Sequence, residues 1–228
     1  KELNTLNKTT LLQGKRVLIT AGPTREPLDP VRYLTNKSSG KMGYALAEAA
    51  RMAGAKITLV SGPVPLTCHP DIQCIHVETG KTMLNTVMEN VSNTDIFIAA
   101  AAVVDYHVEE ISQKKIKKTA DTLDLHLIKN IDILATVANL PHPPFTVGFA
   151  AETHNVLTFA RKKLKEKKVN LILANDVSQK HAGFDAEENA ITAIWNRGED
   201  AFPLSKKTLL AQHLIEFIAQ RYYEKNPT

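Results

Sequence analysis

Apolar and polar positions change period along the chain, and the changes mark the elements. Val17-Leu18-Ile19 is an unbroken apolar run, so residues 16–20 read as a strand buried on both faces. Tyr44-Ala45-Leu46-Ala47-Glu48-Ala49-Ala50 is Ala-rich and propagates a helix, predicted over residues 40–53 and stopped by Gly54. Residues 56–61 form a second strand closed by Gly62-Pro63, and residues 72–77 a third. Met83, Leu84, Val87 and Met88 have helical spacing within residues 79–91, and residues 95–100 are a small apolar fourth strand. This order predicts a three-layer, Rossmann-like α/β fold, a mostly parallel sheet with helices on both faces.

The second half is less regular. Polar and basic residues dominate residues 105–122, which read as a mobile flap. Leu123-Asp124-Leu125-His126-Leu127 alternates strictly and predicts a strand with one solvated face, His126 beside Asp124 on the polar side. A short helix over residues 131–140, a strand over 145–149, a helix over 154–168 and a strand over 171–174 follow. Residues 189–196 and 201–204 look like a terminal hairpin. An amphipathic helix over 206–223 closes the chain, with Leu209, Leu210, Leu214, Phe217 and Ile218 expected on the core. Residues 1–13 carry no periodic pattern and read as a linker or disordered terminus. Residues 14–228 read as one domain without internal repeats.

The stretch Thr20–Gly43 departs most from the pattern. Strand-to-helix connections usually take ~2–6 residues, and much longer ones are commonly functional. This one shows no secondary-structure pattern, yet it is rich in specific side chains: Arg25, Glu26, Asp29, Arg32, Asn36, Lys37, Ser38, Ser39 and Lys41. Ser38-Ser39-Gly40 suits a helix start, with serine as the cap and Gly40 allowing close backbone approach to a ligand. Such a start is an anion site, and Arg32, Lys37 and Lys41 add charge. The amide of Asn36 can donate to a carbonyl oxygen. A capped helix beside a solvated basic loop explains Ser38 alone better, but the whole constellation points to a loop that grips a substrate.

The 228 residues, 43% hydrophobic and 23% charged, are enough for one domain with a sizeable core. A net charge of +4 is explained by an anionic small ligand as well as by nucleic acid. Aromatic content of 6%, without arginine interleaving, disfavours a single-strand binder. The two cysteines, Cys68 and Cys74, form no Cys-x-x-Cys pair and no zinc pattern, so a reducing, cytoplasmic setting is expected. The longest apolar run, residues 96–104, is far short of the ~20 residues that span a bilayer, so no membrane partner is expected. Two basic clusters remain: Lys114, Lys115, Lys117 and Lys118 in the flap, and Arg161 to Lys168 on a helix. Lys163 and Lys167 share a helix face and repel unless an anion sits between them. The Gly-rich phosphate loop and the Gly-x-Gly-x-x-Gly fingerprint are missing, and no acid follows the second strand. That disfavours a nicotinamide-dependent reductase but leaves open a non-catalytic nucleotide-binding module.

Together with the long loop, five further motifs carry a resemblance: Ala99-Ala100-Ala101-Ala102-Val103-Val104-Asp105-Tyr106, Lys115-Ile116-Lys117-Lys118, Lys129-Asn130-Ile131-Asp132-Ile133, Gly148-Phe149-Ala150-Ala151-Glu152-Thr153 and Ala174-Asn175-Asp176-Val177. Over roughly residues 14 to 223 the chain resembles the synthetase domain of bacterial phosphopantothenoylcysteine synthetase. The resemblance implies a ligase of coenzyme A biosynthesis. Such an enzyme activates the carboxylate of 4′-phosphopantothenate with CTP, releases pyrophosphate, then joins L-cysteine and releases CMP. It implies Asn36, Lys115 and Arg32 as catalytic residues, and Arg32, Asn36, Ala101 and Ala102 at the acyl substrate. For the nucleotide it implies Ser38, Ser39, Gly40, Ala101, Asp105, Lys115, Ile131, Asp132, Ile133, Leu134, Phe149, Lys163 and Lys167. Mg²⁺ with CTP, no flavin in this segment, and a homodimer are also implied, as is an upstream flavin-dependent decarboxylase domain in many relatives. Metal ligands are not identified. Two positions depart from the family pattern: Lys114 replaces an acid, and Ile131 replaces a proline, which loosens that turn.

Overall fold

The computed structural model describes residues 10–118, 121–152, 155–176 and 186–227. In chain order the elements begin with β1 (Arg16–Ala21), β2 (Arg25–Pro27), β3 (Tyr33–Thr35), α1 (Lys41–Met52), β4 (Lys56–Ser61), β5 (Gln73–His76), α2 (Gly80–Asn90) and β6 (Ile96–Ala99). They continue with β7 (Tyr106–Val108), β8 (Leu127–Lys129), α3 (Ile133–Ala138), β9 (Phe145–Glu152), α4 (Val156–Glu166), β10 (Leu171–Asp176), β11 (Glu188–Trp195), β12 (Gly198–Lys206) and α5 (Lys207–Lys225).

An eight-stranded sheet in the order β12-β11-β10-β9-β6-β1-β4-β5 forms the middle layer. β1 pairs in parallel with β4 on one side and β6 on the other, and β11 and β12 add an antiparallel edge to β10. The apolar runs are continuous because alternate residues serve opposite faces. Val17 and Ile19 join Ile96, Ile98, Leu171 and Leu173 in a cluster beneath α1 and α5. Leu18, Phe97 and Ile172 face the other way, into a cluster with residues of α2, α3 and α4. On that second face a Cβ added at Gly148 would lie 2.3 Å from Leu134 Cδ2, so glycine lets α3 approach β9.

Several expectations are corrected. The long loop does contain secondary structure: β2 and β3 pair as a small antiparallel hairpin. Their three-residue length is too short for periodicity to register. Residues 123–126 are not a strand. The strand begins at Leu127, pairs with β7, and is solvent-exposed on both faces, so the alternation marks no buried side. His126 lies at the surface as expected, 3.6 Å from Glu109. Leu209 is 46% exposed, whereas Leu210, Leu214 and Ile218 are buried. The terminal hairpin forms as expected, as β11 and β12, and extends the main sheet. Residues 1–9 lie outside the described residues, but Leu12 is fully buried, and the Tyr223 hydroxyl donates to Leu11 O. The body therefore begins before residue 14. Both cysteines are free and partly buried, and burial together with neighbouring Cys74 pushes the Cys68 thiol up to about 12.

Candidate functional site

Read across the parallel part, the strands run β5-β4-β1-β6-β9-β10, so chain order reverses between β1 and β6. Open α/β sheets bind ligands outside the carboxyl ends of their strands at such a reversal. Here the loops leaving β1 and β6 are laced together. The Ala101 N–H donates to Thr20 Oγ1 at 3.3 Å, and the Ala102 N–H to Gly22 O at 2.9 Å. Val104 N–H donates to Thr24 Oγ1 at 3.0 Å. Gly22 has φ +72, and a Cβ there would approach Gly62 O to 3.1 Å, so this turn requires glycine.

Two cavities open beside the laced loops. The first, about 350 Å³, lies over the start of α1 and is lined by Asn36, Ser38, Ser39 and Gly40. The second, about 230 Å³, is lined by Asp105, by residues Ile131 to Leu134, and by Lys163 and Lys167. Ala101, Ala102 and Phe149 line both and form the common wall. Phe149 is therefore a partition, not simply core.

The first cavity corrects the predicted cap. Helix α1 starts from Gly40 itself, at φ +74, and no side chain caps it. Ser38 Oγ only accepts from the Gly40 N–H at 3.4 Å. The left-handed conformation gives the position to glycine, and the uncapped first turn keeps its N–H groups for an anion. Lys41 pairs with Glu187. The Asn36 amide donates to Val103 O at 3.0 Å and to Ala102 O at 3.3 Å, holding the two loops together.

In the second cavity, Asp132 serves two partners. Its Oδ1 accepts from the Ala135 N–H at 2.9 Å and caps α3, while Oδ2 lies 2.7 Å from Lys167 Nζ. Burial pushes the Asp132 carboxyl up, but the Ala135 N–H and Lys167 outweigh it and hold the carboxyl below its ordinary value. The expected repulsion between Lys163 and Lys167 is thus relieved by a carboxylate of the chain itself. Asp105 and Ile131 are exposed at the rim, and Ile133 and Leu134 are buried behind it.

Arg32 and Lys115 do not line either cavity. Arg32 pairs with Asp29 at 2.6 Å, and its guanidinium donates to Ile116 O at 2.7 Å. Ile116 N–H in turn donates to Asp29 Oδ2 at 3.1 Å. Exposed Lys115 is therefore carried on a segment that Arg32 and Asp29 pin one residue further on. Burial alone raises the Asp29 carboxyl, but N–H donors from Val31, Ile116 and Arg32 hold it down at about 2.

A family model described as the DNA/pantothenate metabolism flavoprotein C-terminal domain matches residues 12–222. The chain belongs to this family. It is 50% identical over 210 residues to the coenzyme A biosynthesis bifunctional protein CoaBC of Vibrio vulnificus (strain CMCP6), covering 91% of this chain and 52% of that protein. It is 49% identical over 219 residues to CoaBC of Escherichia coli (strain K12), covering 94% of this chain and 54% of that protein. The chain thus spans about half the length of the curated relatives it matches. Among solved structures, the C-terminal domain of a CoaBC superposes with a TM-score of 0.81 at 39% identity, covering 94% of this chain and 99% of that one. A mutant of Cab2 in complex with phosphopantothenate-cysteine shares the fold, with a TM-score of 0.77 at 19% identity, over 94% of this chain and 89% of that one.

The structure also places residues to which no individual role was assigned from the sequence. Asp29 is buried and anchors the segment bearing Lys115. Glu26, 5% exposed, accepts from the Gly80 N–H at 2.8 Å and fixes the hairpin to the start of α2. Asn175, Asn189 and Lys207 line the far end of the first cavity, and all three are buried. Asn175 lies within a motif that carried the resemblance. Lys207 gave no signal, because a lysine opening an amphipathic helix reads as surface.

Proposed function

We propose that the chain is a phosphopantothenate–cysteine ligase that uses CTP. The carrying observation is the pair of cavities that share one wall at the strand-order reversal: one basic and suited to a nucleotide, the other holding Asn36 and the uncapped start of α1. Identity near one half to CoaBC relatives over this segment supports the same reading.

CTP occupies the second cavity, with its phosphates toward Lys163, Lys167 and the start of α1. A carboxylate oxygen of 4′-phosphopantothenate attacks the α-phosphorus at the common wall. The P–O bond to pyrophosphate breaks, and an acyl-cytidylate forms. The L-cysteine amine then attacks the acyl carbon, the C–O bond to the nucleotide breaks, and CMP leaves with the electron pair. The small side chains of Ala101 and Ala102 leave room for the reacting carboxyl. Asn36 faces the same carbonyl, and its N–H on Ala102 O is replaceable because that oxygen also accepts from the Thr24 N–H at 3.3 Å. Lys115 neutralises phosphate charge as its segment closes. Arg32 serves the acyl substrate through the segment it holds.

No group of three His, Cys, Asp or Glu side chains among the described residues could hold a metal. Mg²⁺ held largely by the phosphates of CTP fits the chemistry. Val31, Tyr33, Tyr106, Leu127, Ile128 and Ile131, all exposed on or beside the two small hairpins, support a homodimer through that face. Among the described residues no helix is long and apolar enough to cross a membrane. The greater length of the relatives supports a partnership with a second, decarboxylase domain.

Pyrophosphate release from CTP and 4′-phosphopantothenate, with and without L-cysteine, tests the proposal. Release without cysteine, and amide product only with it, is expected. No release with CTP under either condition rejects the ligase reading.

A further inference from the structure

Thr24 lines neither cavity, yet it is bonded to the walls of both. It is fully buried in the loop between β1 and β2. Its backbone groups and its hydroxyl oxygen are all engaged. The Thr24 N–H donates to Ala102 O at 3.3 Å, on the common wall. Thr24 Oγ1 accepts from the Val104 N–H at 3.0 Å, on the wall of the second cavity. Thr24 O accepts from Thr35 Oγ1 at 2.8 Å, at the end of β3 and next to Asn36 of the first cavity. The bonds continue beyond Val104. The Asn130 side chain donates to Val104 O at 2.7 Å, and the Asn130 N–H donates to Asp105 O at 2.8 Å. This ties in the segment that leads to Asp132.

The surroundings call for threonine in particular. Val104 is 8% exposed, so its N–H requires an acceptor from the protein. Valine would fill the same space and offer none. Serine would offer one on a freer side chain, whereas branching at Cβ restricts the rotamers of threonine and steadies its hydroxyl. We propose that Thr24 is a positioning residue for the first step, holding the two cavities at the separation that the step requires, an inference that rests on the ligase reading above. In that step a carboxylate oxygen bonds to the α-phosphorus as the bond to pyrophosphate breaks, and pyrophosphate leaves with the electron pair. Nucleophile and phosphorus are gripped from different cavities. Their rate of reaction therefore depends on the separation more steeply than either binding event does, and a misplacement of about 1 Å costs ~10²-fold. The Thr24 N–H serves the same end, because it keeps Ala102 O partnered when Asn36 turns to the substrate.

Thr24→Val in the full chain tests this. With CTP and 4′-phosphopantothenate both saturating, kcat for pyrophosphate release should fall about a hundredfold. Calorimetric affinities for CTP alone and for 4′-phosphopantothenate alone should stay at their wild-type values. Thr24→Ser, which keeps the acceptor, should recover most of the rate. A merely structural role predicts that rate and both affinities fall together. That pattern, or a wild-type kcat in Thr24→Val, overturns the inference. Should Thr24→Val fail to fold, Thr35→Ala probes the same chain of bonds from its exposed end. There kcat should again fall with both affinities kept, and a wild-type kcat overturns the inference. A second readout is independent of catalysis. CMP, which ends at the α-phosphate, should move the NMR resonance of the Asn36 side-chain amide in the wild type but not in whichever of the two variants folds. If the wild type releases no pyrophosphate yet CMP moves that resonance only with the chain of bonds intact, the positioning stands and the ligase reading falls. Pyrophosphate release by the wild type with kcat unchanged in the variant keeps the ligase and removes the positioning. An inactive wild type in which CMP leaves the resonance still removes both.

Discussion

The sheet body and the two small hairpins that overhang its cavities are held by different forces. In the body, Ile19, Ile98, Val147 and Leu173 are fully buried, and apolar packing from both faces fixes their places. In the hairpins, Tyr106 is 49% exposed, Leu127 40% and Ile128 37%, and of their apolar side chains Val108 alone is buried, so burial contributes less. Directed polar bonds do the positioning there: Asp29 to the Ile116 N–H, Asn36 to Val103 O, Asn130 to Val104 O, Glu26 to the Gly80 N–H. The body supplies rigid walls. The overhang carries Asn36 and Lys115 on segments that a few hydrogen bonds hold, which on the proposed reading a substrate would re-order.

The sharpest test of this contrast compares truncations. Ile98→Ala in β6 should cost about 2–5 kcal/mol in denaturant unfolding. Ile128→Ala in β8 should cost no more than about 0.5 kcal/mol, as at other surface sites. Equal costs would end the distinction.

For the overhang, function should suffer where stability does not. Asn36→Asp should slow the second half-reaction by ~10²–10³, because a carboxylate repels the oxyanion that an amide donor would stabilise. The mixed anhydride should accumulate and be visible by mass spectrometry of quenched single turnovers. Product formation at the wild-type rate would make Asn36 a loop tie only.

A smaller effect is expected at Asp29. Its folded value of about 2 lies below the ~3.9 of an unfolded aspartate, so its anchoring is complete above that unfolded value and fades as pH falls toward 2. The NMR shift of the Ile116 amide should follow that titration in the wild type and be flat in Asp29→Asn. A flat wild-type profile would show that the anchor does not form in solution.

The smallest effect is expected at Lys167, whose side chain is 28% exposed beside an Asp132 that is 39% exposed. Lys167→Ala should weaken CTP binding, yet lower the stability of the unliganded protein by under ~1 kcal/mol rather than raise it. A rise would mean that repulsion from Lys163 outweighs the pairing with Asp132.

Legibility in the sequence follows the same divide. Strands and helices of the body were readable because burial on two faces demands runs such as Val17-Leu18-Ile19, and helix ends demand Gly54, whose φ is +89. The hairpins were not readable. Three-residue strands are too short to show a period, β8 is exposed on both sides, and Leu123 to Leu127 alternates without a core to face. Of the residues named from the sequence, Asn36, Asp132, Phe149, Lys163 and Lys167 line the cavity walls. Asp29 and Lys207 act through burial and partners far along the chain, which no local pattern reveals. The same limit explains Ser38: nothing in Ser-Ser-Gly says that the glycine, rather than a serine, begins the helix.

The double engagement of Asp132 has a further consequence for selectivity by valence. Lys167 carries an internal counter-ion, so a visiting anion must win a partner exchange, not fill an unmet need. A monoanion offers Lys167 little more than Asp132 already does. A triphosphate, with several charges shared between Lys163 and Lys167, outbids it. Because Oδ1 alone caps α3, Oδ2 can let go without unravelling the helix. On the proposed reading the arrangement would act as a charge threshold: CMP would carry fewer charges than CTP and would be the easier of the two for Asp132 to displace.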